Sequence, residues 1–466
     1  MSAAPATPTS APRTNPRSRV VIASLVGTSI EFYDFYVYAT AAVLVFPTLF
    51  FPNEDPVASQ LSSFVTFALA FFARPVGSIL FGHFGDRVGR KTTLVASLLV
   101  MGTATFLIGC LPSFDSVGVL APVLLAVLRF AQGVGLGGEW SGAALLATEN
   151  APEGKRGVFG SMPQLGAPIG FLLANGLFIA INAAMPAGAD GTPNADFQAW
   201  GWRIPFLLSA VLVLVGLYVR FRLVESPVFR GVQESGSVAK IPLGRVFRTS
   251  WRAVVVGTFG MVATYVLFYF MTTFTLAYGT TATSLVPKIG LGYSRGEFLT
   301  LLMIGVVFFG VFTPVAGLLA DRFGRRRTLI PTTIGIALFG LTFQFWFAAS
   351  QGPITVVTFL IVGLSLMGLT FGPMGALLPE LFPTNVRYTG SALAYNIASI
   401  LGASLAPTIA LALWRPDGDI FLVGLYLTIA AVVTLVALLL VRETRGRDLD
   451  EAEATAAGTA PDRVGS

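Results

Sequence analysis

The sequence Gly82-His83-Phe84-Gly85-Asp86-Arg87-Val88-Gly89-Arg90-Lys91 lies between two long apolar segments, and it recurs later in the chain. The second copy is Gly317-Leu318-Leu319-Ala320-Asp321-Arg322-Phe323-Gly324-Arg325-Arg326. Both copies keep the spacing Gly-x-x-x-Asp-Arg-x-Gly-Arg-basic. A pattern of this length that repeats within one chain predicts a protein built from two related halves.

The residue types of this motif suit a latch between helices. Its glycines permit a tight reversal of the chain, and its arginines suit bidentate contacts with carboxylates or unpaired helix-end carbonyls. The alternative is a charged turn that only fixes the topology. Two copies at matched places favour a latch that both halves use.

A second repeat accompanies the first. Glu149-x-x-Pro152-x-x-x-Arg156 matches Glu380-x-x-Pro383-x-x-x-Arg387, and both copies follow an apolar span. Residues at the same ends of two bundles can form a symmetric charge network that breaks when the bundles rock apart. Ordinary helix-end capping is the alternative.

The first motif resembles the signature loop of the major facilitator superfamily. In that family the loop lies between the second and third helices of each half and helps to hold one face of the transporter shut. Together, the two repeats predict a cytoplasmic gate. Its residues are Gly82, Asp86, Arg87, Gly89, Arg90, Glu149, Arg156, Gly317, Asp321, Arg322, Gly324, Arg325, Glu380 and Arg387.

The composition indicates a protein dissolved in lipid. Of the 466 residues, 54% are hydrophobic and 12% are charged, whereas about 25% of an average soluble domain is charged. A bilayer core requires about 20 apolar residues per helix, and about twelve such spans can be read from the chain. We predict an all-α membrane protein with twelve transmembrane helices in two pseudo-symmetric six-helix bundles.

Several other classes of protein are disfavoured. Cys110 is the only cysteine and His83 the only histidine, so the sequence offers no internal disulfide, and we expect neither a metal site nor a cofactor. The basic residues lie in turns between spans, which indicates membrane orientation and not nucleic-acid binding. No nucleophile–base constellation supports an enzyme, and no soluble signalling domain supports a sensor.

The domain prediction follows the charge pattern. We assign a disordered cytoplasmic tail to 1–19, the first bundle to 20–224, a cytoplasmic linker to 225–250, the second bundle to 251–443, and a cytoplasmic tail to 444–466. The predicted spans are 20–50, 60–82, 93–112, 117–147, 156–182, 203–223, 251–279, 297–320, 329–349, 354–378, 388–413 and 420–441. Connections after even-numbered spans carry most of the Lys and Arg residues, so the positive-inside rule predicts both termini in the cytoplasm.

Ionisable groups within the spans are costly, by about 2.5 to 3.5 kcal/mol on insertion scales, so each needs a reason. They are Glu31, Asp34, Arg74, Arg129 and Glu139, all in the first half. At 1.5 Å of rise per residue, Glu31, Arg74 and Glu139 lie about 15–18 Å from the cytoplasmic anchors and can meet near mid-membrane.

A carboxylate near an arginine in a cavity of low dielectric can act as a proton switch, because burial favours the neutral acid and the guanidinium favours its anion. We therefore expect proton coupling by Glu31, Asp34 and Glu139, and binding of an anionic substrate group by Arg74 and Arg129. The alternative is a permanently paired network that only locks the bundle together.

Other residues complete the predicted substrate site. The run from Arg129 to Glu139 resembles the superfamily's Arg-centred motif, which is linked to proton coupling, and the resemblance applies to Arg129 and Gln132. In the second half Tyr265 and Tyr269 share one helical face, although tyrosines at this spacing often only pack. Further substrate contacts are assigned to Tyr33 and Asn396.

The first span, Glu31-Phe32-Tyr33-Asp34-Phe35, and the run from Arg74 to Arg87 resemble the metabolite:proton symporter branch of the superfamily. Members of that branch take up shikimate, oxoglutarate, citrate, or proline and betaine into bacteria. The resemblance implies a monomeric transporter in the bacterial inner membrane that imports a small organic acid or zwitterion with protons, and whose other partner is the lipid bilayer.

Two alternatives within the fold stay open. The first is a proton-driven efflux antiporter, although the antiporter motif calls for Gly-Pro in span five and this chain has Gly166-Ala167-Pro168. The second is a betaine or proline symporter. Osmosensing members often carry a long C-terminal coiled coil, whereas the tail after Glu443 is short and rich in Ala and Gly.

Overall fold

The computed structural model describes residues 17–53, 55–88, 90–185, 194–221, 242–281, 290–346, 352–383, 386–414 and 420–446. Side chains at 82–91 are outside that description. All regular structure within the described residues is helical. Eleven of these helices are long and apolar enough to cross a membrane. The helix Arg325–Leu341, about 26 Å long at 1.5 Å per residue, supplies the twelfth span together with Phe343–Trp346.

The twelve spans divide evenly between the halves of the sequence. Spans 1 to 6 are Arg17–Leu44; Pro56–Val88; Arg90–Gly109; Leu120–Leu136 with Glu139–Glu149; Arg156–Gln164 with Gly166–Ala184; and Ile204–Phe221. Spans 7 to 12 are Trp251–Tyr269 with Phe270–Phe274 and Thr275–Thr280; Arg295–Phe323; Arg325–Leu341 with Phe343–Trp346; Pro353–Glu380; Arg387–Ala398 with Ser399–Ser404 and Ala406–Trp414; and Phe421–Leu440. The predicted all-helical, twelve-span fold is confirmed.

Several boundaries differ from the prediction for local reasons. Span 1 ends at Leu44 and not at 50, because a separate short helix, Phe46–Leu49, follows it with Pro47 in its first turn. Span 4 is interrupted at Gly137 and Gly138. The predicted linker falls largely on 222–241, outside the described residues, but its last part forms the helix Pro242–Thr249.

The repeated motif is mainly helix, and the tight reversal predicted for its glycines is present in the second copy. In the second copy the helix continues to Phe323 and the next begins at Arg325, so the turn consists of Gly324 alone. Its φ of 108° is a conformation that favours glycine. Asp321 and Arg322 therefore lie on the last helical turn, where an aspartate can reach a neighbouring helix.

Within each half the spans pack as a bundle, and glycines set the closest approach. Span 2 contacts span 4, and span 3 contacts spans 4 and 6. A Cβ atom at Gly133 or Gly137 would collide with the backbone of span 2, at Ala70 and Arg74 respectively. The two backbones therefore touch at this level, which fixes Arg74 in the middle of the bundle.

The two bundles meet along two equivalent seams. Span 5 packs against spans 8 and 10, and span 2 packs against span 11. Spans 5 and 11, like spans 2 and 8, occupy the same place in their own halves. The seams are thus related by the repeat that the sequence predicts, and the space between them is where a substrate can lie.

Candidate functional site

A small cavity lies between the two bundles and takes its walls from both. It has a volume of about 20 Å³, room for about one water molecule. The lining residues of the first half are Phe32, Tyr36, Arg74 and Ala167, and those of the second half are Thr264, Tyr265, Phe268, Tyr269, Phe309, Met367, Phe371 and Tyr395. Closure around so little space describes an occluded state without room for a metabolite.

Arg74 is the one ionisable group with a permanent charge among these lining residues. Its guanidinium lies over the rings of Phe35, at 5.1 Å, and Phe71, at 4.9 Å. Its Nε atom is buried and has no hydrogen-bond partner. A buried guanidinium donor without an acceptor is unfavourable, so a carboxylate that entered the cavity would satisfy it.

Tyrosine side chains surround Arg74 on the side of the second bundle. Tyr265, Tyr269 and Tyr395 all lie within its electrostatic range. The Tyr265 hydroxyl is buried and interacts with the side chain of Tyr395. The indole ring of Trp140 stacks on Tyr395 at 3.8 Å between centroids. Tyr265 and Tyr269, which the sequence predicts to share one helical face, both line the cavity. Tyr395 also lines it, and sequence reasoning did not assign it to the substrate site.

Glu31 lies beside this site, between two arginines. Glu31 is buried, and it interacts electrostatically with Arg74 and with Arg220. Its Oε2 atom has no hydrogen-bond partner. The structure thus brings Glu31 and Arg74 close to each other, as the sequence predicts.

Glu139 does not join Arg74 in the way that its depth suggested. Its Oε1 atom forms an ion pair with Nη2 of Arg220, and both side chains are buried. Arg220 stands near the end of span 6, and sequence reasoning assigned it no role. The sequence did hold a signal, because the first half has three intramembrane acids but only two recognised arginines.

Asp34 belongs to a separate polar chain. The Thr105 hydroxyl donates to Asp34 Oδ2 at 3.2 Å and accepts from Gln132 Nε2 at 2.8 Å. Gln132 in turn accepts from Arg129 through its Oε1 atom. Arg129 and Gln132, the two residues to which the family resemblance applies, are therefore hydrogen-bonded to each other, and Thr105 is a link to Asp34 that sequence reasoning did not identify.

Arg129 does not line the cavity. Its guanidinium is enclosed by the rings of Phe35, Tyr38 and Phe67, with the closest centroid, that of Tyr38, at 3.9 Å. The Phe35 ring contacts both Arg129 and Arg74. In this state a substrate in the cavity cannot contact Arg129 directly, because aromatic rings surround the guanidinium.

Two further predicted contacts also lie away from the cavity. The Tyr33 hydroxyl donates to the Pro205 carbonyl at 2.8 Å, inside the first bundle. Asn396 donates to Ser78 Oγ at 2.6 Å and to the Gly137 carbonyl at 3.3 Å. Asn396 thus ties span 11 to spans 2 and 4, which is a contact between the bundles and not a lining position.

Asp321 closes the seam between the start of span 5 and the end of span 8. Its two carboxylate oxygens accept hydrogen bonds from the backbone N–H groups of Gly157, at 2.7 Å, and Val158, at 2.9 Å. These N–H groups belong to the first turn of span 5, where a negative charge is stabilising. An aspartate of the second bundle thereby caps a helix of the first.

The rest of this gate is a charge chain in the second bundle. Arg325 donates to Asp321 at 3.2 Å and makes two bonds to Glu380, at 3.0 and 3.1 Å. Arg156, from the first bundle, lies within electrostatic range of Glu380. Glu443 accepts from the backbone N–H groups of Arg325 and Arg326.

The remaining predicted gate residues divide into three groups. Gly317 lies where spans 5 and 8 touch, whereas Arg322 is exposed and lies over the Phe323 ring. Arg387 begins span 11 and donates to the Phe382 carbonyl, and Glu149 ends span 4. Gly82, Asp86, Arg87, Gly89 and Arg90 lie outside the described residues or side chains, so the matching contact of the first copy stays a prediction.

Comparison with known proteins identifies the family. A family model described as Major Facilitator Superfamily matches residues 25–407 and, a second time, residues 291–461. The chain belongs to the major facilitator superfamily. Within the superfamily it is similar to an inner membrane metabolite transport protein of Escherichia coli, YhjE, at 57% identity over 435 residues, which cover 93% of this chain and 96% of the relative.

Other superfamily relatives have named substrates. The shikimate transporter of E. coli is 35% identical over 92% of this chain and 95% of its own length. The proline/betaine transporter of the same organism is 32% identical over 92% and 84%. Among solved structures, the proton:xylose symporter XylE matches with a TM-score of 0.71 at 20% identity, over 94% of this chain and 98% of that one, which shows the fold alone.

These findings settle the coarse function. This superfamily member is a transporter and not an enzyme, and it is a multi-pass protein of the inner membrane. No group of three His, Cys, Asp or Glu side chains suited to a metal ion occurs among the described residues.

Proposed function

We propose that the chain is a proton-coupled symporter that imports a small metabolite bearing a carboxylate, by alternating access. The observation that carries the proposal is Arg74, a buried guanidinium at the cavity with an unsatisfied Nε donor, in electrostatic contact with the buried acid Glu31. A substrate carboxylate on Arg74 would draw the guanidinium away from Glu31, which would then accept a proton.

Charge balance supports this coupling. In the described part of the first bundle, the buried acidic and basic side chains are three carboxyl groups and three guanidinium groups. They are Glu31, Asp34 and Glu139, and Arg74, Arg129 and Arg220. One anionic substrate leaves an uncompensated charge in a medium of low dielectric, which is unfavourable, and one proton neutralises it. We therefore propose protons as the coupling ion, with one proton per monocarboxylate.

The aromatic walls favour a particular kind of substrate body. Tyr36, Tyr265, Tyr269 and Tyr395 present rings and hydroxyl groups, and Phe268 and Phe309 add apolar faces. Such a site suits a small ring or a short compact chain with one carboxylate. It also suits betaine, because a quaternary ammonium is attracted to aromatic faces while its carboxylate binds Arg74. Betaine is thus the second candidate substrate.

The test is uptake into proteoliposomes of labelled shikimate, protocatechuate, oxoglutarate, citrate and betaine, with and without an inward proton gradient. We expect the gradient to drive accumulation of one carboxylate, and we expect Glu31→Gln and Asp34→Asn to abolish that accumulation. Arg252→Gln, an exposed arginine at the start of span 7, is the control. Loss of preloaded solute on imposing the gradient would instead establish the efflux antiporter.

We also propose that both termini are cytoplasmic and that the transporter works as a monomer. The orientation is supported by the basic residues that follow even-numbered spans, and a monomer is the default state of this fold. A reporter active only in the periplasm, fused after Gly446, should give no signal, whereas the same reporter fused in the connection after span 1 should be active.

A further inference from the structure

Arg220 lies where three spans of the first bundle meet. Its Nη1 atom donates to the Leu94 carbonyl of span 3, and its Nη2 atom pairs with Glu139 of span 4. The Oε2 atom of Glu139 has no hydrogen-bond partner. The guanidinium is thus held in one orientation by a backbone acceptor, although its ion pair leaves half of the Glu139 carboxylate unsatisfied.

The same guanidinium lies against the face of span 1 that carries Glu31. Gly27 is one turn before Glu31, and a Cβ atom there would lie 3.4 Å from Arg220 Nη2 and 3.6 Å from Glu139 Oε1. One helical turn is about 5.4 Å, so Arg220 stands about one turn below Glu31. Arg74 stands on the other side, toward the cavity.

Every charged or titratable neighbour of Glu31 that the structure describes can be assigned to an element. Arg74 faces it from span 2, Arg220 from span 6 with Glu139 from span 4 beside it, and Tyr395 from span 11. Tyr36 and Asp34 lie on its own span. Two of these groups, Arg74 and Arg220, are positively charged. Of those two, Arg74 lines the cavity and Arg220 does not.

We propose that Arg220 is a positioning residue of the coupling machinery, which keeps Glu31 charged in the empty transporter so that a proton binds only after a substrate carboxylate has engaged Arg74. This inference rests on the proposed function. The step moves one proton from water to Glu31 and breaks no other bond. With one guanidinium engaged by substrate, Arg220 is shared by Glu31 and Glu139, and it cannot neutralise both.

The role of Arg220 can be tested without any substrate, because Trp140 reports on this cluster. Its indole follows Glu139 in sequence, donates to Gln164 at 2.9 Å and stacks on Tyr395. We expect the tryptophan fluorescence of the purified, substrate-free transporter to change with pH in one transition. That transition should be absent from Trp140→Phe, which assigns the signal, and from Glu31→Gln, which assigns the titrating group.

Arg220→Gln should move the midpoint of this transition upward by at least about one pH unit, because removal of a neighbouring positive charge favours the protonated acid. Arg220→Lys keeps the charge and should restore most of the shift. If Arg220→Gln fails to fold because Glu139 loses its partner, Glu139→Gln/Arg220→Gln removes both charges and should still raise the midpoint. An unchanged midpoint, or no transition in the wild type, would overturn the proposal.

Transport separates this inference from the proposed function. With the carboxylate that the wild type accumulates, Arg220→Gln should retain exchange of labelled for unlabelled substrate while losing proton-driven accumulation. Suppose that the wild type accumulates no substrate while Arg220→Gln still raises the fluorescence midpoint above that of the wild type. In that case symport fails, and the role of Arg220 in holding Glu31 charged stands. If accumulation is normal and Arg220→Gln accumulates equally well, the role of Arg220 fails and symport stands.

Discussion

Arg74 lies against aromatic rings, and its buried Nε donor has no hydrogen-bond partner within the protein. We expect Arg74→Gln to raise the substrate concentration for half-maximal uptake about ten- to a hundredfold, because a hydrogen bond to a charged group contributes about 1.5–3 kcal/mol. Arg74→Lys should recover part of this loss, since it keeps the charge but lacks the planar fork. The concentration dependence of uptake measures the effect of both substitutions. Equal half-maximal concentrations for Arg74→Gln and the control Arg252→Gln would contradict the assignment of Arg74 to substrate binding.

Thr105 is the second residue whose role can be tested singly. Its hydroxyl donates to Asp34 and accepts from Gln132, and a hydrogen bond to a carboxylate favours the charged form. Thr105→Val removes this donor and favours protonated Asp34, so the pH profile of uptake should move to higher pH. Thr105→Ser retains the hydroxyl and should leave the profile in place. A common profile for the two variants would mean that Asp34 does not titrate in transport.

The sequence predicts how deep in the membrane a residue lies, but not in which direction its side chain points. Counting helical rise was enough to bring Glu31 to Arg74, because both lie on long regular helices. The same count could not tell that Tyr33 turns toward Pro205 or that Arg129 is enclosed by aromatic rings. Arg220 was missed because an arginine near a span end has an ordinary explanation in membrane orientation.

At the scale of helices, the approach of spans 5 and 8 depends on Gly317. A Cβ atom there would lie 2.7 Å from Ser161 Oγ and 2.8 Å from the Gly157 carbonyl. Gly310, about two turns earlier on the same helix, has room, because its Cβ atom would lie 3.6 Å from Pro168.

We therefore expect Gly317→Ala to lower the melting temperature of the detergent-solubilised protein and its uptake rate, since the two backbones must separate. Gly310→Ala should leave uptake unchanged and raise stability slightly, because an interior helical glycine costs about 0.5–1 kcal/mol relative to alanine. Thermal unfolding of the two variants is the measurement. A similar effect at both positions would show that the seam adjusts freely.

The repeated motif shows why helix boundaries were harder to predict than helix number. Gly317 and Gly324 look alike in the sequence, yet the first permits contact with span 5 and the second makes the turn. Asp321 and Arg322 are compatible with a helix, so the chain needs only one glycine with positive φ to reverse. Pattern alone does not separate these two uses of glycine.

At the scale of the whole molecule, Asp321 joins the bundles at the start of span 5 and the end of span 8. Its replacement by asparagine removes the charge that interacts with the first turn of span 5 and one of its two acceptor oxygens. We expect the closed state to lose population. Ser161 is buried next to this contact. The accessibility of the introduced thiol in Ser161→Cys therefore measures the population of the closed state.

In a background with Cys110→Ser, Ser161→Cys should react slowly with an impermeant thiol reagent in inside-out vesicles. Adding Asp321→Asn should speed the reaction several-fold. Asp115→Asn, an exposed acid on the opposite side of the membrane, is the matched control and should have no effect. Equal labelling rates with and without Asp321→Asn would mean that other contacts hold the seam.

The overall architecture could be predicted from the sequence, since the repeats and the twelve apolar spans describe two related bundles. The conformational state could not be predicted, because both open and closed states place the same residues on the same helices. The cavity, and which of its walls Arg74 and Tyr395 occupy, depend on how the two bundles lean together, which local sequence does not specify.

Substrate and proton are proposed to cross the membrane together, and simultaneous recording of both fluxes tests this most directly. Proteoliposomes containing a pH-sensitive dye are held at zero membrane potential and given a labelled monocarboxylate that the transporter accepts. We predict that the lumen acidifies as label enters, with one proton per substrate molecule, and that Glu31→Gln removes the acidification. Entry of label without a pH change, or alkalinisation of the lumen, would contradict proton symport.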